Sequence, residues 1–544
     1  MSETPTSTPI LIELNVEKLH GIVKNAAAIR CQTKLMPVGH ERDKVFPPTF
    51  DGAVYAEEHR LDKDGEHLVP AVLLDSVASQ ANRMEEALRD ALNDASLSPR
   101  LEFPVPKVDF TGIEGVPASI SVLEAPHRIF DAIFRDSEVV PPPSNNPNPT
   151  GTPNDSLQST SFRDSPLGQA LATAALYNAT PLFEYCPTVL LFGAWNSTDA
   201  VPGKVKFARA LVSEIVAYYA EKGVKVGGRI DPLGIEKIGI YRVPSQETTA
   251  KAEEANYRTE AGETKIVYAT ATNGWTTDVA QARKTETGEP LYYQKREGET
   301  WTALEGEAAR DKEGNLVRYK LKKEHVGKPS EINHGNIPPA VAIAEKTMEG
   351  PDGSKLSERN KPLPGGITMR YAEQTTVLSM AALRRLRFPV TQPTAASPSS
   401  PAVQSSQPNS EPIVETETSA TPSPNAIHPP QKTPAERDVD ARMMLTALGL
   451  AVMVCSRQDY FLRSRCDLYA PELIKFEIVQ QGSAKFEEFT LTLAQAATLL
   501  RDVTGQSSAQ WKSQADLPTL RPSQKLADLI RESRRRSGSE DNSE

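Results

Sequence analysis

Residues 365–388 read GGITMRYAEQTTVLSMAALRRLRF, and Pro389 follows. The opening GGITMRYAEQ carries a strand pattern, and TTVLSMAALRRLRF predicts a helix that the proline stops. On that helix Leu378, Ala382, Leu383 and Leu386 gather on one side, while Arg384, Arg385 and Arg387 fan across the rest. A cation in the last turn of a helix is worth about 0.3–1 kcal/mol against the macrodipole. One arginine would satisfy that role. Three are more than capping requires, which leaves contact with a polyanion open. A strand feeding a helix that ends at a linker sets the class as α+β.

Similar pieces lie on either side. AIRCQTKLMPV (28–38) alternates, with Ile29, Cys31, Thr33 and Leu35 on one face and Arg30, Gln32 and Lys34 on the other, so it reads as a half-buried strand. AVLLDSVASQANRMEEALRDAL (71–92) reads as a helix with a stripe of Leu73, Val77, Ala81, Met84 and Leu88. Ser79, Asn82 and Arg83 fall on its other side. TVLLFGAW (188–195) predicts a short buried strand. KVKFARALVSEIVAYYAEKG (204–223) predicts an amphipathic helix stopped by Gly223. MMLTALGLAVMV (443–454) is, at about a dozen residues, too short to span a bilayer and reads as a buried helix.

Proline, serine and asparagine mark the breaks. Residues 138–160 predict a surface loop, and 389–435 a linker, part polyproline and part coil. Residues 244–330 are rich in Glu, Lys, Thr and Gly, with strand-like pieces such as TKIVYATAT, and predict a β-rich excursion from a core. The end of the chain, 516–544, reads as a flexible charged tail.

The totals bound the class. A chain of 544 residues exceeds one small core. Its formal charge of −10 argues against a surface that is basic throughout, yet phosphate binding is local and leaves a basic groove open. The four cysteines, Cys31, Cys186, Cys455 and Cys466, are far apart and predict reduced, buried thiols, with no disulfide framework or zinc knuckle. The N-terminal stretch lacks the pattern of a secretory signal, so the expected location is cytoplasmic.

No phosphate loop, dinucleotide fingerprint, nucleophile elbow or zinc-protease motif occurs. The eight histidines are scattered, and none pairs with another at ligand spacing. Basic clusters carry more signal. From Lys204 to Arg242 eight Lys/Arg stand against four Asp/Glu, a surplus suited to a phosphate backbone or to a solvated face. SVLEAPHRIFDAIFRDS (121–137) places His127, Arg128 and Arg135 beside apolar anchors, with Asp131 and Asp136 near enough for local ion pairs.

Five stretches in this order then carry a resemblance: VFPPTFDGAVY (45–55), LLDSVASQANRMEEAL (73–88), the 121–137 stretch, the 365–388 stretch, and LTALGLAVMVCSRQDYFLRSRCDLYAPE (445–472). Together they resemble the backbone RAMP protein of type I-G (formerly I-U) CRISPR systems, the seventh Cas family, which lines the Cascade effector. The resemblance implies a ferredoxin-like (RRM-type) palm with large β-rich finger and thumb insertions. The palm would span 20–388, and 436–515 would complete it. It also implies a non-enzymatic subunit that polymerises along a guide RNA (crRNA) and presents the spacer to target DNA. The implied partners are the crRNA, neighbouring copies of the chain, a large subunit, a five/six-type Cas subunit and a recruited helicase-nuclease, with no membrane. The implied RNA contacts are Arg30, Lys34, Asn82, Arg83, His127, Arg128, Lys204, Lys206, Arg209, Arg370, Arg384 and Arg385. No catalytic residue, cofactor or metal is expected. Two rival readings stand beside this one: a RAMP endoribonuclease using His127 as acid or base, and a scaffold that binds no nucleic acid. The chain departs from the family in its proline-rich runs and its acidic balance.

Overall fold

A computed structural model describes residues 10–51, 54–140, 159–196, 206–233, 240–242, 264–270, 275–276, 278–295, 301–304, 319–320, 322–324, 336–349, 355–390, 432–482 and 487–540. Two compact units emerge, Met1–Gly223 with Pro364–Glu544, and Val224–Leu363. Lys204, most of the 138–160 loop and most of the 389–435 linker lie outside the described residues.

The first unit is built on a ten-stranded sheet. Its main elements in chain order are β1 (Ile10–Leu11), α1 (Val16–Asn25), β2 (Ala26–Pro37), β3 (Glu57–Leu61), β4 (Leu68–Asp75), α2 (Val77–Asn93), α3 (Thr188–Phe192), β5 (Leu211–Tyr218), β6 (Tyr371–Ser379), α4 (Pro434–Cys455), β7 (Tyr460–Arg463), β8 (Cys466–Tyr469), β9 (Phe476–Gln480), β10 (Glu487–Phe489) and α5 (Leu493–Gln506). The strands run β1-β10-β9-β2-β6-β5-β4-β3, and β8 branches from the end of β2 and carries β7. The β1–β10 pair is parallel and the other pairs of this sheet are antiparallel.

Register sorts the two faces. Ile29, Cys31 and Leu35 of β2 lie opposite Leu378, Thr376 and Ala372 of β6, which in turn face Leu211, Ser213 and Ala217 of β5. All of these are buried. Side chains alternate along a strand, so Arg30, Gln32, Lys34, Glu214, Tyr218, Tyr371 and Glu373 take the opposite, half-exposed to exposed face.

The helices cover the buried face. α4 is buried from Ala441 to Met453 on every side, and α1, α2, α3 and α5 pack around it. Its start is fixed by a capping box: Thr433 accepts the Glu436 N–H, the Glu436 carboxylate accepts the Thr433 N–H, and Pro434 opens the first turn. Gly449 lets α4 lie against β6, because a Cβ there would stand 2.9 Å from Leu378 Cδ2.

A polar seam crosses the same buried face. Ser213 Oγ donates to Gln80 Oε1 at 2.9 Å, and Gln80 Nε2 donates to Asp75 Oδ2 at 2.6 Å. Arg83 Nε and Arg463 Nη2 also reach Asp75, at 3.0 and 3.4 Å. Arg457 donates to Thr376 Oγ1 at 2.6 Å and to Thr33 Oγ1 at 3.4 Å. Every buried polar group named here has a partner, which is the condition for burying such a chain.

A smaller five-stranded sheet joins Lys107–Asp109, Ser119–Ser121, Ser137–Val140 and Thr160–Ser161 to Thr519–Pro522. Gln524–Glu540, within the stretch expected as a tail, is a helix. The second unit is described as short antiparallel pairs, such as Val226–Arg229 with Ile337–Val341, and a four-stranded sheet around Tyr268–Ala269 and Tyr292–Lys295. The 244–330 stretch falls inside it.

Four local expectations are corrected. TVLLF is a helix, where a strand was expected: a run buried all round has no period to separate the two, and Pro187 before it and Gly193 after it (φ 81°) are helix boundary signals. Where a helix was expected over 204–223, the described residues 206–223 give strands, because LVSEIVAY buries Leu211, Ser213, Ile215 and Ala217 with period two. TTVLS continues β6 to Ser379, and only Met380–Leu383 forms a helical turn. Residues 71–75 likewise end β4, and α2 begins after the Ser76 cap. Among the described residues no helix is long and apolar enough to cross a membrane, and no group of three or more His, Cys, Asp or Glu could hold a metal ion.

Replacing Gly449 with Val overpacks the α4–β6 contact. The expected loss is about 1–3 kcal/mol, read as a lower denaturation midpoint with the helical signal retained. An unchanged midpoint would mean that α4 does not sit this close to β6.

Candidate nucleic-acid interface

Two of the basic candidates, Lys206 and Arg209, come together at a two-stranded ribbon. Ala194–Trp195 pairs with Lys206–Phe207, and Lys206 lies directly opposite Trp195. Opposed residues in an antiparallel pair share a face. One face therefore buries Phe207 in the core. The other shows Lys206 and the Trp195 ring, which is 57% exposed. Arg209 follows on the same segment and is exposed. Gly193 is needed where α3 turns into the ribbon: its φ is 81°, and a Cβ would meet Phe207 O at 2.9 Å and Arg209 Cγ at 3.1 Å.

Arg128 fixes this ribbon from beneath. Its Nε and Nη2 donate to the two oxygens of Glu85 at 2.6 and 2.8 Å, and its Nη1 donates to Gly193 O at 3.1 Å. The guanidinium also lies 5.4 Å from the centroid of the Phe192 ring. Arg128 is 7% exposed, so its donors are engaged inside the fold and it is not placed as a free phosphate contact. Its backbone sits at φ 54°, a strained value for a non-glycine residue that the ion pair helps to hold. Burial raises the Glu85 pKa, with Arg128 and then Arg209 opposing that shift. His127, one residue earlier, is exposed, and its backbone N–H donates to Asp131 at 3.0 Å.

The other candidates are dispersed. Arg30 pairs with Glu477 at 2.5 Å and Lys34 with Glu472 at 3.5 Å, both on the half-exposed sheet face. Arg83 serves Asp75 and the carbonyls of Phe461 and Leu462. Asn82 is exposed on α2. Arg370 stacks over Tyr219, 4.7 Å from the ring centroid. Arg384 donates to the carbonyls of Val23 and Ala26, closing α1, and Arg385 is exposed. The helix expected to end at these arginines is a single turn, so the capping done by Arg384 is for α1 and not for its own helix.

Sequence reasoning missed Trp195. It was read as the end of a buried strand, whereas the α3 helix places it beyond the core. Its neighbours Lys206 and Arg209 in a basic segment are the signal that would have found it. An exposed indole beside cations suits base stacking together with phosphate contact.

Residues 29–222 match the family model of CRISPR-associated protein GSU0053. The matched span takes in β2, α2, α3, β5 and the whole ribbon. No curated protein sequence matches the chain. The family match supports a CRISPR-associated role.

Arg128→Ala leaves the Glu85 carboxylate buried without its partner, at an expected cost of about 3–5 kcal/mol. A raised folded-state pKa for Glu85 means that the protonated form favours the fold. The penalty should therefore be largest at neutral pH and shrink as pH falls toward the unfolded value. Denaturation of wild type and variant across that range checks both signs.

Proposed function

We propose that this chain is a guide-RNA-binding backbone subunit of a type I-G CRISPR surveillance complex and carries no catalytic centre of its own. The observation that carries the reading is the ribbon, where exposed Trp195 stands opposite Lys206, with Arg209 following, within the segment that matches a CRISPR-associated family. Phosphates would meet the cations and bases would meet the indole, while pairing with the guide supplies sequence.

The sheet order supports a ferredoxin-like palm. Such a sheet places its fourth strand beside the first, then the third, then the second, all antiparallel. Here β9, β2, β6 and β5 stand in that order, and α4 connects the third to the fourth. The chain departs from the simple pattern because the β3–β4 hairpin adds to the β5 edge and α2 follows that hairpin. In this reading the partners are the crRNA, target DNA through the guide, further copies of the chain and other Cascade subunits, in the cytoplasm. One observation favours a second reading, a guide-processing endoribonuclease: His127 is exposed and immediately precedes Arg128, which holds the start of the ribbon through Gly193 O.

Co-expression with a guide transcript tests both. The first reading expects co-purifying RNA, a nucleic-acid-like 260/280 nm ratio and no cleavage of repeat RNA. Lys206→Ala with Arg209→Ala should weaken binding and lower the slope of log affinity against log salt by about 0.7 per lost contact. Cleavage that disappears in His127→Ala would establish the second reading. A protein-like ratio with no extractable RNA would remove both and leave a scaffold.

A further inference from the structure

The arginines that follow Met380–Leu383 meet the first turns of α4, and the charges there do not balance. Asp438 accepts the Phe388 N–H at 2.7 Å and Arg442 Nη2 at 3.1 Å, and its Oδ2 stands 3.5 Å from Arg387 Nε. Arg387 and Arg442 thus share one carboxylate. Arg384 is held by carbonyls, and Arg385 is exposed. The neighbouring Lys432 and Arg437 are matched separately, Lys432 by Asp440 at 2.8 Å and Arg437 by Glu184 at 3.9 Å. Arg387 and Arg442 therefore share the single carboxylate of Asp438, the field of Arg384 also reaches Arg442, and Arg385 stands exposed on the same turn.

A second observation points the same way. Arg442 is 8% exposed, and its Nε has no hydrogen-bond partner among the described residues. A buried donor left unmatched is costly, and here it belongs to a cluster with more donors than acceptors. Burial, and beyond it the fields of Arg387 and Arg384, depress the Arg442 pKa. The α4 N-terminus adds its own positive end. Capping explains Arg384, which closes α1, and part of Arg387, whose Nη1 returns to the Arg384 and Leu386 carbonyls. It does not explain Arg385 or the surplus.

We infer that the 384–388 turn and the first turns of α4 form a second binding site for RNA phosphodiesters, in which Arg385 and Arg387 contact the backbone and Asp438 positions them and limits their charge. The site rests on the RNA-binding reading above. A phosphodiester supplies the acceptors and the negative charge that the cluster lacks. Asp438 is a positioning residue: it holds the turn through Phe388 N–H and engages Arg387 only at 3.5 Å, a contact that an incoming phosphate can replace.

The test is Asp438→Asn beside the double variant Arg385→Ala, Arg387→Ala, with single-stranded guide RNA in a fluorescence-anisotropy titration over salt. Asn keeps the acceptor for Phe388 N–H and removes the opposing charge. RNA affinity should rise about two- to fivefold at low salt, with a steeper salt slope, even though Asp438→Asn lowers the denaturation midpoint. The double variant should bind more weakly, with a slope shallower by about 0.7 per lost contact. If wild type binds RNA and Asp438→Asn binds no more tightly while the double variant binds alike, this site is overturned and the ribbon reading stands. If wild type binds no RNA at all, both readings fall.

Discussion

A helix with no polar face cannot rest on a surface. α4 is buried on all sides from Ala441 to Met453, and the rest of the first unit follows from enclosing it. Each Leu or Met it removes from water contributes about 1.5–3 kcal/mol, provided that neighbours close over every side. The sheet supplies one wall, and α1, α2, α3 and α5 supply the others. Gly449 sets how near the sheet can come. The two ends of the helix then place polar groups. The N-terminal turns carry Asp438 and Arg442 to the arginine turn after β6. The residues just past the C-terminus carry Arg457 under the sheet to Thr33 and Thr376.

Apolar burial alone would not choose a register for these strands. The seam through Ser213, Gln80 and Asp75 does, because each group has one geometry that satisfies it. A slip of one residue between β5 and β6 would turn Ser213 or Thr376 to the other face, breaking their mutual hydrogen bond and costing Gln80 or Arg457 one of its partners. The same logic fixes the ribbon. Arg128 ties Glu85 of α2 to the Gly193 carbonyl, so the position of Trp195 depends on an ion pair in the core.

Patterns that do not depend on distant contacts were legible. Strict alternation marked 28–38 as a strand, and an unbroken apolar run marked 443–454 as a buried helix, and both hold. Where local signals conflict, tertiary context decided. TVLLF and LVSEIVAY are both apolar and short, and each took the opposite state to the one its pattern suggested. The arginines show the same limit at the site. Spacing identified them as basic but not that Arg128 would meet Glu85, a residue 43 positions away, or that Arg384 would close a helix 358 positions back in sequence, at Ala26. His127, Lys206 and Arg209, singled out by the same spacing, are exposed, so charge was legible where burial was not.

The acidic total is compatible with an RNA-binding reading because the cations are distributed unevenly. On the half-exposed sheet face, Arg30 meets Glu477, Lys34 meets Glu472, and Arg60 meets Glu214 at 2.6 Å. Glu214, and after it Glu58, hold Arg60 above its ordinary pKa against the opposing effect of burial. Such surface pairs are individually worth little, yet a phosphate approaching that face would have to displace a carboxylate at each step and would meet further acids at Glu373 and Glu488. The ribbon is different. Lys206 has no ion pair among the described residues, and Glu85, the acid that Arg209 feels, is already held by two hydrogen bonds from Arg128. An anion there would break no ion pair of Lys206 among the described residues. This difference, more than any count of lysines and arginines, is what favours the ribbon over the open sheet as the place for a nucleic-acid backbone.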